Sequence, residues 1–132
     1  MNGFNLFGER GSISSVIYVD IDAHNRNRSI FMTLLPRESN TKVTDASLIN
    51  TISFPAFATQ NEELYKTTKE AVVKHLKGDY GFKRFSGDGF GTEIEDMQRR
   101  FYRRGETLEF ENVENEWPLF YINMIIDGVF KE

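Results

Sequence analysis

The stretch "ENVENEWPLFYINMIIDGVF", residues 111 to 130, decides how this chain is read. Glu111, Glu114, Glu116 and the only tryptophan, Trp117, stand directly before an almost unbroken apolar run. Read as a helix from about Glu116 to Phe130, the run is roughly 22 Å long. Pro118 is tolerated in the first turn, where a missing N–H costs nothing. Because the run is apolar nearly all round, it predicts a helix buried on more than one side. Such a helix needs more neighbours than 132 residues can supply, so the chain reads as a piece of something larger.

Working outward, "NEELYKTTKEAVVKHLKG" (61 to 78) is the clearest amphipathic helix. Asn61 is its N-cap, Glu62 and Glu63 suit the positive end of the dipole, Lys74 and Lys77 suit the negative end, and Gly78 is the exit. Leu64, Thr68, Ala71, Val72, His75 and Leu76 form one face, with His75 at its edge in a structural role. "HNRNRSIFMTLL" (24 to 35) predicts a second helix stopped by Pro36. Asp45 can cap a third through "ASLINTISF", ended by Pro55. "SSVIYVD" (14 to 20) is a short β-prone run, with Asp20 and Asp22 as strand-end charges. Residues 79 to 112 hold five glycines and no helical period. There "GFKRF" and "TLEFE" alternate like short strands, which predicts a hairpin-like excursion. No internal repeat, low-complexity tract or domain boundary interrupts the chain.

Composition narrows the function. Apolar residues make up 39% and charged residues 27% of the chain, the balance of an ordinary globular protein. A formal net charge of −4 argues against a nucleic-acid partner held by phosphate neutralisation. The basic cluster "RRFYRR" (99 to 104) therefore reads as solvated charge. Cysteine is absent, which excludes disulfides and cysteine-based zinc sites. No apolar run reaches the roughly 18 to 20 residues of a membrane span, and "MNGFNLFGERG" lacks the features of a signal peptide, so a cytoplasmic protein is expected. Twelve Phe and five Tyr are read mainly as core packing.

Several motifs carry possible chemistry. Glu114 and Glu116 flank Asn115, and residues two apart on an extended segment share a face. A glycosidase needs carboxyls about 5 to 9.5 Å apart on opposite sides of the sugar bond. These two would lie on one side. They are either one carboxylate and a stacking tryptophan of a sugar-type pocket, or helix N-terminal acidity beside a core Trp117, and the residues alone favour the second. "KRFSGDGFGTE" (83 to 93) lacks both the dinucleotide glycine spacing and a P-loop lysine. "KRFS" and "RNRS" place basic residues before Ser86 and Ser29, a pattern that basophilic kinases accept. Asp20 and Asp22 have no glycine and glutamate at calcium-loop positions, and no metal or cofactor is expected.

Taken in order, "NGFNLFG", "VDIDAHNRNR", "LLPRES", "DASLINTISFPAFA", "LKGDYGFKRFSGDGFGT" and "ENVENEWPLF…IDGVF" resemble the large regulatory subunits, alpha and beta, of phosphorylase b kinase. The similarity covers essentially the whole chain. "VDIDAHNRNR" and "LKGDYGFKRF" are closer to the beta type. Those subunits are far longer, so the resemblance implies that this chain is a fragment or a partial gene model of one.

The resemblance implies a regulatory role, with catalysis on a separate gamma subunit and calmodulin bound as delta. In that scheme the chain modulates phosphorylation of glycogen phosphorylase, and so glycogen breakdown. It also implies a mainly α fold, part of an (α/α)6 toroid similar to glycoside hydrolase family 15, in which residues 111 to 130 lead into an inner helix. The hydrolase pocket positions would fall on Asp45 to Leu48, on Arg84 with Phe85, on Asp88 with Gly89, and on Glu114 or Glu116. Arg84, Asp88, Glu114, Glu116 and Trp117 are thus candidates for a vestigial sugar pocket. Where the subunits usually read R-F-L-R-D-G-Y, this chain reads "RFSGDGF". The second Arg and the terminal Tyr hydroxyl are therefore missing. The family's other catalytic glutamate would lie outside the chain, so turnover by these residues alone is not expected. The alternatives are an active glucan hydrolase of the same fold and a module that binds oligosaccharide without cleaving it. The family also suggests lipid-mediated association with the cytoplasmic face of the plasma membrane. This chain's "VFKE" end carries no prenylation signal.

Overall fold

The computed structural model describes residues 20–40 and 42–131. These form four α-helices and a short 3-10 helix: α1 (Ile21–Leu34), α2 (Leu48–Ile52), α3 (Glu62–Leu76), the 3-10 helix (Glu106–Phe110) and α4 (Leu119–Lys131). No β-strand is present among the described residues. Of the β-prone run 14 to 20, only Asp20 is described and the rest lies outside the described residues, while Asp22, expected as a strand-end charge, lies instead in the first turn of α1. The Asp20 carboxylate accepts the Ala23 amide at 2.9 Å and caps α1.

α3 follows its sequence signals closely. Asn61 Oδ1 accepts the Leu64 amide at 3.0 Å, as an N-cap should. The buried side is Tyr65, Thr68, Val72 and Leu76, while His75 is exposed. α2 is a single short turn. Asp45 accepts both the amide and the hydroxyl of Ser47 just ahead of it, and the helix ends at Ile52, three residues before Pro55. Leu48, Ile49 and Ile52 from α2 meet Tyr65, Val72 and Leu76 from α3, and Leu35, Ala46 and Phe82 complete the core. α4 packs on α2, with Phe120, Tyr121 and Met124 half-buried against that cluster.

The expected hairpin does not form. "TLEFE" lies largely within the 3-10 helix, where the Glu106 and Thr107 amides both donate to the Arg103 carbonyl. Phe82 of "GFKRF" pairs elsewhere. It exchanges both backbone hydrogen bonds with Trp117, at 3.3 and 2.8 Å, in an isolated antiparallel bridge. This bridge consumes the Trp117 backbone, so α4 begins at Leu119 rather than at Glu116. Gly81 permits the approach, since a Cβ there would sit 2.5 Å from the Trp117 carbonyl carbon.

The other departure concerns α4. Of its residues only Asp127 is buried, whereas Leu119, Ile122, Ile125, Val129 and Phe130 are exposed. The helix has the all-round apolar sequence of a buried element but is covered here on one side only. No helix among the described residues is long and apolar enough to cross a membrane.

Candidate functional site

The loop after α3 is organised around one ion pair. Arg84 donates from Nε and Nη2 to the two carboxylate oxygens of Asp88, a bidentate pair in which Asp88 is buried and Arg84 about a third exposed. The hydrogen bond from Arg84 to Asp88 raises the guanidinium pKa further above its already high ordinary value, although burial works the other way. Asp88 also accepts the Phe90 amide, and its backbone carbonyl accepts Asn115 Nδ2 at 2.9 Å. The Arg84 carbonyl in turn accepts the Ala46 amide, which ties the loop to the entrance of α2.

Aromatic rings gather on the same guanidinium. Its Cζ lies 5.0 Å from the Phe90 ring centre and 5.2 Å from that of Trp117. The two rings are themselves stacked at 6.0 Å. Trp117 therefore finds its ring neighbours within this chain, although its buried indole N–H has no hydrogen-bond partner among the described residues.

The glutamates separate. Glu116 turns to the α3 exit, where its Oε2 accepts the amides of Tyr80 at 2.7 Å and Gly81 at 3.0 Å. A side chain at Gly78 would collide with that carboxylate. Glu114 is exposed and forms no hydrogen bond or ion pair among the described residues. Thus Arg84, Asp88 and Trp117 come together, while Glu114 and Glu116 do not join them.

A cavity of about 550 Å³ opens beside the ion pair. Arg84, Ser86, Asp88 and Phe90 line one wall, and Arg100, Phe101, Tyr102 and Arg104 line another. Glu114, Glu116 and Trp117 lie outside its lining. Ser86 and Ser29 are both exposed, Ser29 on the surface of α1.

A second polar cluster, which no motif of the sequence marks, joins α4 to α3. Asp127 of α4 accepts the Tyr65 hydroxyl at 2.6 and 2.7 Å and Lys69 Nζ at 2.7 Å. Burial pushes the Asp127 carboxyl up, but these donors and the Lys69 charge outweigh it, and its pKa lies below the ordinary 3.8. Ser53 lies alongside without reaching hydrogen-bond geometry. Burial, followed by the Asp127 carboxylate, pushes Tyr65 well above its ordinary 10.0. The only advance signal was Tyr65 and Lys69 at i and i+4 on one helix.

No family model matches the chain. Individual proteins do. The "Probable phosphorylase b kinase regulatory subunit beta" of Drosophila melanogaster is 62% identical over 131 residues, which are 99% of this chain and 12% of that protein. The corresponding alpha subunit of the same species is 45% identical over 131 residues, 99% of this chain and 10% of the relative. The skeletal muscle isoform of the alpha subunit from Rattus norvegicus is 45% identical over 130 residues, again 10% of its length. Along nearly its whole length, then, the chain is a homologue of phosphorylase b kinase regulatory subunits, more similar to the fly beta subunit than to these alpha subunits, and it spans about a tenth of their length.

Proposed function

We propose that the chain is a segment of a beta-type regulatory subunit of phosphorylase kinase and acts as scaffold and restraint rather than as a catalyst. The observation that carries this reading is the 62% identity, across 99% of the chain, to a protein named as a regulatory subunit. On this reading the whole protein modulates phosphorylation of glycogen phosphorylase. It does so in a cytoplasmic hetero-oligomer with a catalytic gamma subunit, calmodulin and further regulatory subunits, and any lipid anchor is supplied outside this segment.

The site chemistry supports a non-catalytic role. Hydrolysis of a glycosidic bond needs an acid and a base on opposite sides of the sugar. Here Asp88 is occupied by Arg84, Glu116 accepts two backbone amides, and Glu114 stands apart at the surface. The exposed apolar residues of α4 support the further reading that residues 1–132 are one segment of a larger, family-15-like helical toroid. In that arrangement α4 is an inner helix and its outer face packs on helices contributed by the rest of the subunit.

The full-length protein tests both parts. It is expected to release no glucose from maltooligosaccharides and to change the activity of the gamma subunit on glycogen phosphorylase when the complex is reconstituted. Glucose release abolished by Glu116→Gln would overturn the regulatory reading in favour of an active hydrolase. A second, narrower reading is favoured by the exposed ring of Phe90 in the cavity lining, backed by Trp117 from outside it. It predicts binding heat with maltooligosaccharides that is lost in Trp117→Ala, and calorimetry without heat would remove it.

A further inference from the structure

The "RRFYRR" segment is not uniformly solvated charge. Arg99 is paired with Glu106 at 2.9 Å. Arg100, Arg103 and Arg104 form no ion pair or side-chain hydrogen bond among the described residues. A second hollow of about 320 Å³ adjoins the cavity of about 550 Å³, and Arg99, Arg100 and Phe101 line both. Arg104 lines the first and Arg103 the second. Phe101, 80% exposed, stands between these guanidinia, and Lys42 lies over the Phe85 ring at 4.6 Å on the cavity wall. Of the acids in the lining, Asp88 is neutralised by Arg84, while Glu95, which accepts the Gly91 amide and keeps its charge, and Glu111 remain.

A chain of net charge −4 thus carries a groove of two adjoining hollows lined by Arg100, Arg103 and Arg104, none of them in an ion pair among the described residues, and by the exposed Phe101. Arginine forks match carboxylates bidentately, and exposed aromatic and arginine side chains are the usual anchors of protein interfaces. We propose that this groove docks an acidic peptide segment. Its carboxylates would sit on Arg100, Arg103 and Arg104, and one apolar side chain would lie against Phe101 at the cavity mouth. Charge complementarity selects this occupant. A nucleic acid would need a broader basic surface than one groove on an acidic protein offers.

The experiment is fluorescence anisotropy on the full-length protein with a dye-labelled, glutamate-rich peptide carrying a central phenylalanine. Binding should weaken as salt shortens the screening length from about 10 Å at 0.1 M to about 3 Å at 1 M. Arg100→Ala with Arg104→Ala should lower affinity about tenfold or more, and Phe101→Ala by a smaller factor. A charge-matched control, Lys66→Ala with Lys74→Ala on the exposed face of α3, should leave affinity unchanged. The proposal is overturned if the peptide does not bind, if the control loses as much as the groove variant, or if single-stranded DNA of equal charge binds more tightly than the peptide.

Discussion

Helices α3 and α4 are built on opposite plans. α3 buries Tyr65, Thr68, Val72 and Leu76 and turns Glu63, Lys66 and Lys74 to solvent. α4 buries an aspartate and exposes Leu119, Ile122, Ile125, Val129 and Phe130. In α3 the apolar stripe is the attachment and the charged face is finished surface. In α4 the attachment is centred on the Asp127 carboxylate, held by Tyr65 and Lys69, with half-buried Phe120, Tyr121 and Met124 beside it. What α4 leaves outside has the composition of an interior. Near its end Phe130 stacks on Phe54 at 5.0 Å and meets Phe57 edge-on at 5.5 Å, an aromatic group whose three members are all exposed.

The largest effect should come from making the two helices alike. Ile125 and Val129, 67% and 70% exposed, can be replaced together by glutamate, giving α4 a charged outer face like that of α3. Expressed alone, the 132-residue chain should aggregate or bind hydrophobic dyes, and the double substitution should make it monodisperse in sedimentation. In the full-length protein the same change should be severely destabilising. Two aliphatic burials at roughly 1.5–3 kcal/mol each would be lost, on the order of 3–6 kcal/mol, before the cost of burying the charges. A full-length double variant with unchanged yield and melting would show that α4's outer face is ordinary surface.

Next in size is the attachment itself. Asp127→Ala leaves Lys69 and the Tyr65 hydroxyl without their shared acceptor. Breaking a buried pair costs about 3–5 kcal/mol, and because Lys69 is a third exposed, about 2–3 kcal/mol is expected here. Amide exchange in α4 should then accelerate roughly 30- to 150-fold, while the exposed face of α3 changes little. Tyr65→Phe removes one hydroxyl and keeps the ion pair, so its cost should be about 1 kcal/mol. Equal effects from the two variants would mean that the hydroxyl, not the charge, holds α4.

The contrast also explains what could be read in advance. α3 was legible down to its cap because Asn61 and the Leu64 amide are three residues apart and need nothing else. α4 was legible as a helix, since periodicity and apolarity are local, but its burial was not. Burial depends on neighbours, and a single aspartate in "IIDGVF" says nothing about a tyrosine 62 residues earlier. The Arg84 and Asp88 pair lay within four residues and was among the candidates, whereas Glu116 appeared beside it in sequence logic and went elsewhere in space. The failed hairpin has the same origin. Alternation marks a strand only if a partner edge is available, and the backbone of Phe82 had already been taken by Trp117.

The smallest effect expected is a pH dependence carried by the Asp127 attachment. In the folded chain Asp127 holds its proton less tightly than the ordinary 3.8. Burial opposes that shift and the donors from Lys69 and Tyr65 overcome it. Its contribution is therefore fully present above 3.8 and fades as pH falls through the lowered folded value. Tyr65 runs the other way, raised by burial and then by the Asp127 carboxylate. Its contribution is complete below 10.0 and is lost as pH rises toward its folded value. Between these limits the attachment should not respond to pH. Exchange protection of α4, corrected for the intrinsic chemistry, should accordingly be level from pH 3.8 to 10.0 and decline outside that window at both ends. In Asp127→Ala the acid decline should shrink to what the exposed Lys131–Glu62 pair between α4 and α3 contributes. A decline of the wild type already near neutrality would mean that α4 is held by groups other than Asp127 and Tyr65.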